Sequence, residues 1–300
     1  MKRKILLVTG SSGFLGSFFL VDALRKGYYV IDILRTKNKR NKSLDYVRKL
    51  FPKTYKSIYY SNFQELEKKI KYGKFDYLVH FATLYKNDHF NKEIPLFLES
   101  NIIFPSVILD LVFKKVKKVI NFGSMMQHLD GKNYTSKNFY ASSKSAFEII
   151  LDYFVSQNSK LKLYNLKFYE SFSETDKRNK LIPTIFKNFK VNKTTNILSK
   201  NLELNILHRI DIINAVHLII NNQINSGSYC LKYPKNINIK RLISNINLKS
   251  KRRIKVRFMS NKILKPQKSF FKMLPNWKPT IKVDEKIQNK FLDENNKNVY

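Results

Sequence analysis

Three side chains in this sequence are set to handle a proton. Tyr140 and Lys144 stand four residues apart in Tyr-Ala-Ser-Ser-Lys, so on a helix they share one face. An ammonium one turn away favours phenolate over phenol, which makes the tyrosine a usable proton donor and acceptor near neutral pH. Ser124 ends an apolar run that reads as a strand, where its hydroxyl can hydrogen-bond a reacting carbonyl or alcohol oxygen. A Tyr-x-x-x-Lys spacing arises by chance in a chain with 17 tyrosines and many lysines. Its weight therefore depends on the elements that would hold it in place.

The strongest of those elements lies at the start of the chain. Ile5-Leu6-Leu7-Val8 is a continuous apolar run, as in a strand buried on both faces. Thr9-Gly10-Ser11-Ser12-Gly13-Phe14-Leu15-Gly16 follows, then an apolar-periodic helix through Phe18, Leu20, Val21 and Leu24, with Gly27 at its C-terminal end. Tyr29-Val30-Ile31-Asp32-Ile33-Leu34 reads as a second strand. This is a βαβ unit with a glycine-rich first turn, the usual cradle of a dinucleotide pyrophosphate. Gly10 supplies backbone angles that a side chain forbids, Gly13 lets N–H groups approach phosphate, and Gly16 lets the helix pack on the strand. The nicotinamide of such a cofactor carries hydride; the protein supplies proton and geometry.

The end of the second strand chooses the cofactor. An acid there accepts the ribose 2′-hydroxyl of NAD. Here the position is Leu34, followed by Arg35, whose guanidinium can grip the 2′-phosphate of NADP, with help from Thr36, Lys37 and Asn38. Asp32, two residues earlier inside the strand, is the competing reading and would favour NAD.

Further along, strands are expected at 57–60, 76–83, 116–122 and 161–168, and helices at 63–72, 95–113 and 139–155. Asn62 falls near where adenine would lie, and Ala82 and Thr83 leave room for a cofactor to cross a strand end. His80 reads as a packed, hydrogen-bonded histidine before it reads as a base. The alternation predicts an α/β protein with a Rossmann-type, doubly wound parallel sheet. Residues 1–168 form the dinucleotide-binding domain in this reading. Residues 169–300, where the pattern loosens, form a smaller, mainly substrate-binding domain, with segments near 205–222 returning to the first. Later helices are expected at 180–189, 211–220 and from Asp284.

Three hundred residues, 43% of them hydrophobic, suffice for a large core. The net charge of +35 raises nucleic acid as a partner. The lysines are spread among Asn and Ile along the whole chain, so no specific nucleic-acid site is expected. One cysteine, Cys230, excludes an internal disulfide. No metal-ligand cluster is apparent, no apolar run is expected to span a membrane, and the start lacks a signal peptide's apolar stretch. A cytoplasmic location is expected. The helices at 95–113 and 139–155 hold apolar residues beyond the needs of one sheet face, Phe97, Ile108, Phe147 and Ile150 among them.

These residues carry a resemblance. Thr-Gly-Ser-Ser-Gly-Phe-Leu-Gly at 9–16, His80-Phe81-Ala82, Asn101, Ser124, Tyr140 with Lys144, Asp211, and Leu-Pro-Asn-Trp-Lys-Pro at 274–279 together resemble the extended short-chain dehydrogenase/reductase family, the NAD-dependent epimerases and dehydratases of nucleotide sugars. Within it, Ile-Leu-Arg-Thr at 33–36, Ala-Thr-Leu-Tyr at 82–85 and Gly-Ser-Met-Met-Gln-His at 123–128 are similar to the CDP-abequose and CDP-paratose synthase-like reductases.

The resemblance implies catalysis by Ser124, Tyr140 and Lys144. It implies cofactor contacts from Gly10, Ser12, Gly13, Phe14, Leu15, Gly16, Arg35, Asn62, Phe81, Ala82, Thr83, Asn101, Tyr140 and Lys144. Substrate contacts are implied for Tyr85, Ser124, Met125, Gln127, Glu170 and Lys180. It also implies a homodimer through a four-helix bundle, and NADPH-dependent reduction of a 4-keto-6-deoxyhexose nucleotide in surface polysaccharide (lipopolysaccharide) biosynthesis. Phe172-Ser173-Glu174 stands where the family usually has Tyr-Gly-Pro, and Glu170 where many members have Asn or Asp, which leaves sugar and base open. A 4-epimerase with retained NAD and a non-catalytic nucleotide- or polyanion-binding Rossmann protein remain alternatives. A dehydratase would want an acid/base pair beside Ser124, where the chain has Met125-Met126.

Overall fold

A computed structural model describes residues 3–36 and 41–297, with the side chains of 295–297 left aside; Lys37 and Asn38, expected beside the cofactor, lie outside the described residues. The apolar runs become strands β1 (Ile5–Thr9), β2 (Tyr29–Arg35), β3 (Tyr55–Tyr60), β4 (Tyr77–His80), β5 (Lys118–Phe122) and β6 (Lys162–Lys167). The amphipathic segments become helices α1 (Phe14–Arg25), α2 (Lys42–Leu50), α3 (Phe63–Ile70), α4 (Ile94–Leu98), α5 (Phe104–Val112) and α6 (Phe139–Gln157). Asn41, Asn62 and Asn138 cap α2, α3 and α6 by accepting first-turn N–H groups, the usual N-cap chemistry.

The chain divides into two units. The first comprises residues up to Lys167 together with Val216–Cys230 and Phe270–Lys272. Its sheet has seven parallel strands in the order β11-β6-β5-β4-β1-β2-β3, where β11 is Gly227–Cys230. Strand order reverses beside β1, the place where doubly wound sheets bind ligands at their carboxyl edge. One face of the sheet packs Leu7, Ile33, Leu78 and Val119 against Ile108, Leu109 and Val112 of α5 and Phe147 and Leu151 of α6.

The second unit comprises Phe168–Ala215, Leu231–Ser269 and the residues from Met273 onward. It holds helices α7 (Leu181–Lys190), the first half of α8 (Arg209–Asn221), α9 (Ile239–Lys249) and α10 (Val283–Lys297). Short strands accompany them: β7 (Glu170–Phe172) pairs with β10 (Ile206–His208), β8 (Thr195–Ile197) with β13 (Val256–Phe258), and β9 (Asn201–Leu204) with β12 (Ile237–Asn238) and β14 (Ile263–Leu264). Phe172, Ile182, Phe189, Ile206, Ile243 and Phe291 form its core. Asp211 anchors the tail of this unit. Its carboxylate accepts Thr280 N and Oγ at 2.9 Å and Ile281 N at 3.2 Å, while its carbonyl accepts Trp277 Nε1 at 2.9 Å.

Three expectations need correction. Of the segment near 205–222 expected to return to the first unit, 216–222 does so; the return runs on to Cys230, with a short strap at Phe270–Lys272, and 205–215 stays in the second unit. What returns is the second half of α8 and an edge strand, Gly-Ser-Tyr-Cys, too short and polar to announce itself. Phe97, Ile108 and Phe147 are buried and Ile150 packs on the core, whereas Leu96, Leu98, Ile103, Ile149 and Tyr153 are exposed apolar residues of these helices. Finally, the helical run Asn91–Val112 has 22 residues and is apolar enough, by length and composition, to cross a membrane. Five of its apolar residues, Phe97, Phe104, Ile108, Leu109 and Val112, are buried, while Leu96, Leu98 and Ile103 are exposed.

Candidate active site

The glycine turn is built by close approach. Gly10 has φ of +75°, and a Cβ there would lie 2.4 Å from the Ala82 backbone N. Only glycine lets the turn after β1 pass this near the end of β4. A Cβ on Gly16 would lie 2.2 Å from the Gly10 carbonyl oxygen, so α1 closes on the turn only with that position bare. No side chain caps the start of α1 and no acid stands in its first turn, which leaves the positive end of its dipole toward the turn.

A cleft of about 260 Å³ opens there, lined by Gly10, Ser12, Gly13, Arg35, Phe81, Ala82 and Thr83, all expected, by Leu34, read as the ribose position, and by Ile33, Tyr60, Leu84, Ser100 and Phe104, which the sequence did not single out. Among the described lining residues Arg35 is the only charged side chain, and it donates to Ser100 Oγ at 3.3 Å. Glycines at backbone contact distance, an anion-attracting helix start and one cation fit a dinucleotide. Phe14, Leu15 and Gly16 lie in α1 and are not among the lining residues. Asn62 is not among them either; it caps α3, accepting Glu65 N at 2.9 Å.

Asp32 turns away from this cleft. Its carboxylate is fully buried beneath the turn, where Ser11 donates to Oδ2 and Tyr55 OH donates to the same oxygen at 2.9 Å. Burial pushes its pKa from 3.8 up to about 6, against the pull of those two donors. A carboxyl raised in the folded state stabilises fully below its unfolded pKa, and that contribution is lost as pH rises through the folded pKa. Asp32→Asn is neutral throughout. The stability difference between variant and wild type should therefore move toward the variant by about 2 kcal/mol between pH 4 and pH 7, for a shift of about two units. Paired thermal or urea melts across that range measure it; a pH-independent difference would remove the assigned cause.

Ser124, Tyr140 and Lys144 all belong to the first unit and all are buried. Ser124 follows β5 and caps a short 3₁₀ turn, Met125–Gln127, its hydroxyl accepting Met126 N at 3.2 Å. Gln127 Oε1 accepts Ser124 N at 2.7 Å. Its amide nitrogen lies 3.5 Å from Ser145 Oγ on α6, linking the serine's turn to the helix that carries Tyr140 and Lys144. Gln127 and Met125, expected at the substrate, are buried in this support. The Tyr85 ring meets the Tyr140 ring edge-on, centroids 4.9 Å apart. Burial pushes the Lys144 ammonium down to about 8; Glu148 pulls it back up and Lys167 pushes it further down.

Asn101 lies in a π-helical turn, Glu99–Ile103, between α4 and α5. Its Oδ1 accepts Leu84 N at 2.7 Å and Thr83 Oγ at 3.1 Å, and its Nδ2 donates to Leu84 O at 3.0 Å and Ser143 Oγ at 2.9 Å. Ser143 in turn donates to the Tyr140 carbonyl at 2.8 Å. One amide thus ties the cofactor-facing segment after β4 to the first turn of α6. His80 is buried, 2.7 Å from Thr9 Oγ and packed on Phe104 and Phe147, and burial together with Lys144 holds its imidazole well below the usual range. Glu170 and Lys180 lie in the second unit, where they pair with each other at 3.1 Å. Among the described residues there is no cluster of three or more His, Cys, Asp or Glu arranged for a metal.

Two curated relatives are CDP-abequose synthases. The one from Yersinia pseudotuberculosis is 26% identical over 249 residues, covering 81% of this chain and 83% of its own; the one from Salmonella muenchen is 24% identical, covering 76% and 73%. Among solved structures, a point mutant of the UDP-glucuronic acid 4-epimerase of Bacillus cereus, in complex with a fluorinated UDP-sugar and NAD, superposes with a TM-score of 0.79 at 16% identity, over 99% of this chain and all of that one. The UDP-glucose 4-epimerase of Thermotoga maritima gives 0.75 at 16% identity over 99% and 100%. At those identities the structures speak for the fold. The family model matches residues 6–239, most of the chain, and with the glycine turn, the cleft and the Ser-Tyr-Lys set it establishes that this protein belongs to the NAD dependent epimerase/dehydratase family and is an NAD(P)-dependent enzyme of the short-chain dehydrogenase/reductase type.

Proposed function

We propose that the protein is an NADPH-dependent reductase of a nucleotide-linked 4-keto-6-deoxyhexose, acting in the cytoplasm in the synthesis of a surface polysaccharide. The observation that carries the cofactor half is the division of labour at the end of β2: Asp32 is consumed beneath the turn, and among the described residues lining the cleft Arg35 is the charged one. The similarity to two CDP-abequose synthases supports the substrate class.

Bound reduced nicotinamide supplies the hydride for the keto carbon. Ser124 holds the ketone oxygen by a hydrogen bond, Tyr140 delivers a proton to that oxygen, and Lys144 stabilises the phenolate left behind while holding the ribose hydroxyls. Glu170, Lys180 and Tyr85 are proposed as substrate contacts. The experiment is single-turnover oxidation of NADPH, followed at the nicotinamide absorbance, with 4-keto-6-deoxy nucleotide sugars differing in base. Oxidation with one of them supports the reading. Tight NADPH binding with no oxidation by any of them would move the 4-epimerase ahead, and the same three side chains serve that reaction in both directions.

The assembly proposed is a homodimer through helices α4 to α6. Ile149 and Tyr153 on α6, and Leu96 and Ile103 on the preceding helical run, are between 43% and 60% exposed. Apolar residues this exposed on neighbouring helices are what a two-fold four-helix interface would cover. Light scattering at micromolar concentration, in salt high enough to screen the charge, should give twice the chain mass, and Ile149→Lys with Tyr153→Lys should return it to one. A monomeric wild type would end this proposal.

A further inference from the structure

Behind the Ser-Tyr-Lys set lies a second group of buried ionisable side chains that the reaction above leaves unused. Lys167 ends β6, and its side chain and that of Glu148 are each 1% exposed. The Lys167 ammonium donates to Glu148 Oε2 at 2.5 Å and sits 2.9 Å from His128 Nε2. Tyr134 OH donates to the same carboxylate oxygen at 3.1 Å. His128 Nδ1 lies 2.9 Å from the Asn133 carbonyl. An ammonium donating to Nε2 leaves Nδ1 as the donor to that carbonyl, so the imidazole is neutral. Burial and Lys167 hold it there, below the usual histidine range. Phe271 closes the group, its ring 4.8 Å from that of His128 and 5.0 Å from the Lys167 nitrogen. Gly123, next to Ser124, rests directly on it: a Cβ would lie 2.6 Å from Glu148 Oε1 and 3.1 Å from Lys167 Cγ.

Such a pair is a poor way to hold a fold, because well-packed apolar residues of similar volume often do so as well or better. Its position suggests another use. Tyr140, Lys144 and Glu148 follow one another at intervals of four on α6, in one stripe. Glu148 raises the proton affinity of Lys144 and Lys167 lowers it; after burial these are the two leading influences on that ammonium. The other ionisable groups around this stripe are Asp152 on α6, His80 from β4, His128 and Tyr134 from the segment after β5, and Cys230, which pairs with Lys167 from β11. His80 and His128 are held neutral by burial and a nearby ammonium, and burial with Glu148 raises the Asp152 carboxyl.

The geometry points to Glu148 and Lys167 as positioning residues for the proton transfer: two opposite charges, Glu148 one turn beyond Lys144 on α6 and Lys167 paired to it from β6, that balance its charge and through it that of Tyr140. This rests on the reading of Tyr140 and Lys144 given above. The pair touches neither substrate nor cofactor in this assignment. It works through the field it places on Lys144.

The test is the pH profile, from pH 6 to 10, of single-turnover NADPH oxidation and, independently of any substrate, of NADPH affinity by calorimetry. Glu148→Gln leaves two ammonium groups facing each other, and the Lys144 midpoint should fall by about one unit or more. Lys167→Met leaves the carboxylate uncompensated, and the midpoint should rise by about as much. The double variant, neutral at both positions, should return close to wild type, and Lys167→Arg should hold the wild-type midpoint. A pair that only braces the fold would lower rates or melting temperatures without opposed shifts. Single variants that fold and move in the same direction, or not at all, overturn the assignment.

Where a single variant fails to fold, ¹⁵N-lysine NMR of the wild type keeps the question open to refutation. Lys167 must keep its proton through the range in which Lys144 loses its own, and Lys167 titrating first overturns the assignment. The two readings fail separately. An unchanged rate in Tyr140→Phe removes the proton-transfer role itself. A dead Tyr140→Phe beside unmoved midpoints in Glu148→Gln and Lys167→Met removes only the counterbalance.

Discussion

Replacing Tyr140 by Phe is expected to slow single-turnover NADPH oxidation by about 10²- to 10⁴-fold, the usual worth of a positioned general acid. The substitution removes one oxygen and keeps the ring that meets Tyr85 edge-on. Fold and cofactor affinity should therefore stay near wild type, so the loss reports the proton. Two companions separate the roles. Lys144→Met should damage both turnover and NADPH affinity, because one ammonium serves both. Ser124→Ala should lower turnover with affinity little changed, although it also removes the acceptor that caps the turn at Met126 N. A wild-type rate in Tyr140→Phe would leave His128 and His80 as the remaining candidates. Both are buried, one beside the Lys167 ammonium and the other against the Thr9 hydroxyl, which makes them poor substitutes.

Arg35→Asp is expected to reverse cofactor preference. A charge-assisted contact to the 2′-phosphate is worth about 1.5–3 kcal/mol, so NADPH affinity should fall by roughly 10- to 100-fold from its loss alone, and further from the repulsion that Asp introduces. NADH, lacking that phosphate, should lose little. Ser100 accepts from the guanidinium at 3.3 Å and keeps it at the cleft, so Ser100→Ala should weaken NADPH binding slightly in the same direction. Titrating both cofactors by nicotinamide fluorescence decides the matter. Equal weakening of the two, or a wild type that prefers NADH, would mean that the end of β2 is not where the cofactor is chosen.

The dinucleotide-binding half was legible because its chemistry is local. Thr9 to Gly16 announces a turn, and apolar runs of four or five residues announce buried strands, so β1 to β6 fall where periodicity puts them, within a few residues. The second unit was legible only in helices α7, α8 and α10, which fall close to the segments expected at 180–189, 211–220 and from Asp284. Its strands have two to four residues, too few for a period of two to show, and α9 was passed over in a basic, asparagine-rich stretch. Two of the apolar residues read as surplus, Phe97 and Ile150, stand one position from the exposed Leu96 and Ile149; a one-residue step turns a helix face by about 100°.

Asp32 shows a different limit. The strand pattern gives its period, but the donors that claim it, Ser11 and Tyr55, come from two other elements. The partner of Glu148 is the sharpest case. It lies 19 residues away on a strand, and no spacing rule connects a helix glutamate to a strand lysine. Such pairs belong to tertiary structure alone.

The edge strand β11 has a consequence for how the molecule is made. It pairs with β6 in register from Gly227 with Tyr164 to Cys230 with Lys167, yet 59 residues of mostly second-unit chain separate the two strands. On a growing chain β6 therefore waits as an open edge, its N–H and C=O groups on one side unpaired, until the stretch after α8 has been synthesised. The nucleotide-binding half is not a detachable N-terminal fragment: a chain stopped after Lys167 ends on that open edge, a template for pairing with other chains. The contact that completes the sheet is long-range, so its loop-closure entropy is paid before the pairing repays it. Closing the sheet is thus a late step in the life of this chain, and holdase chaperones would find their target in the interval before it.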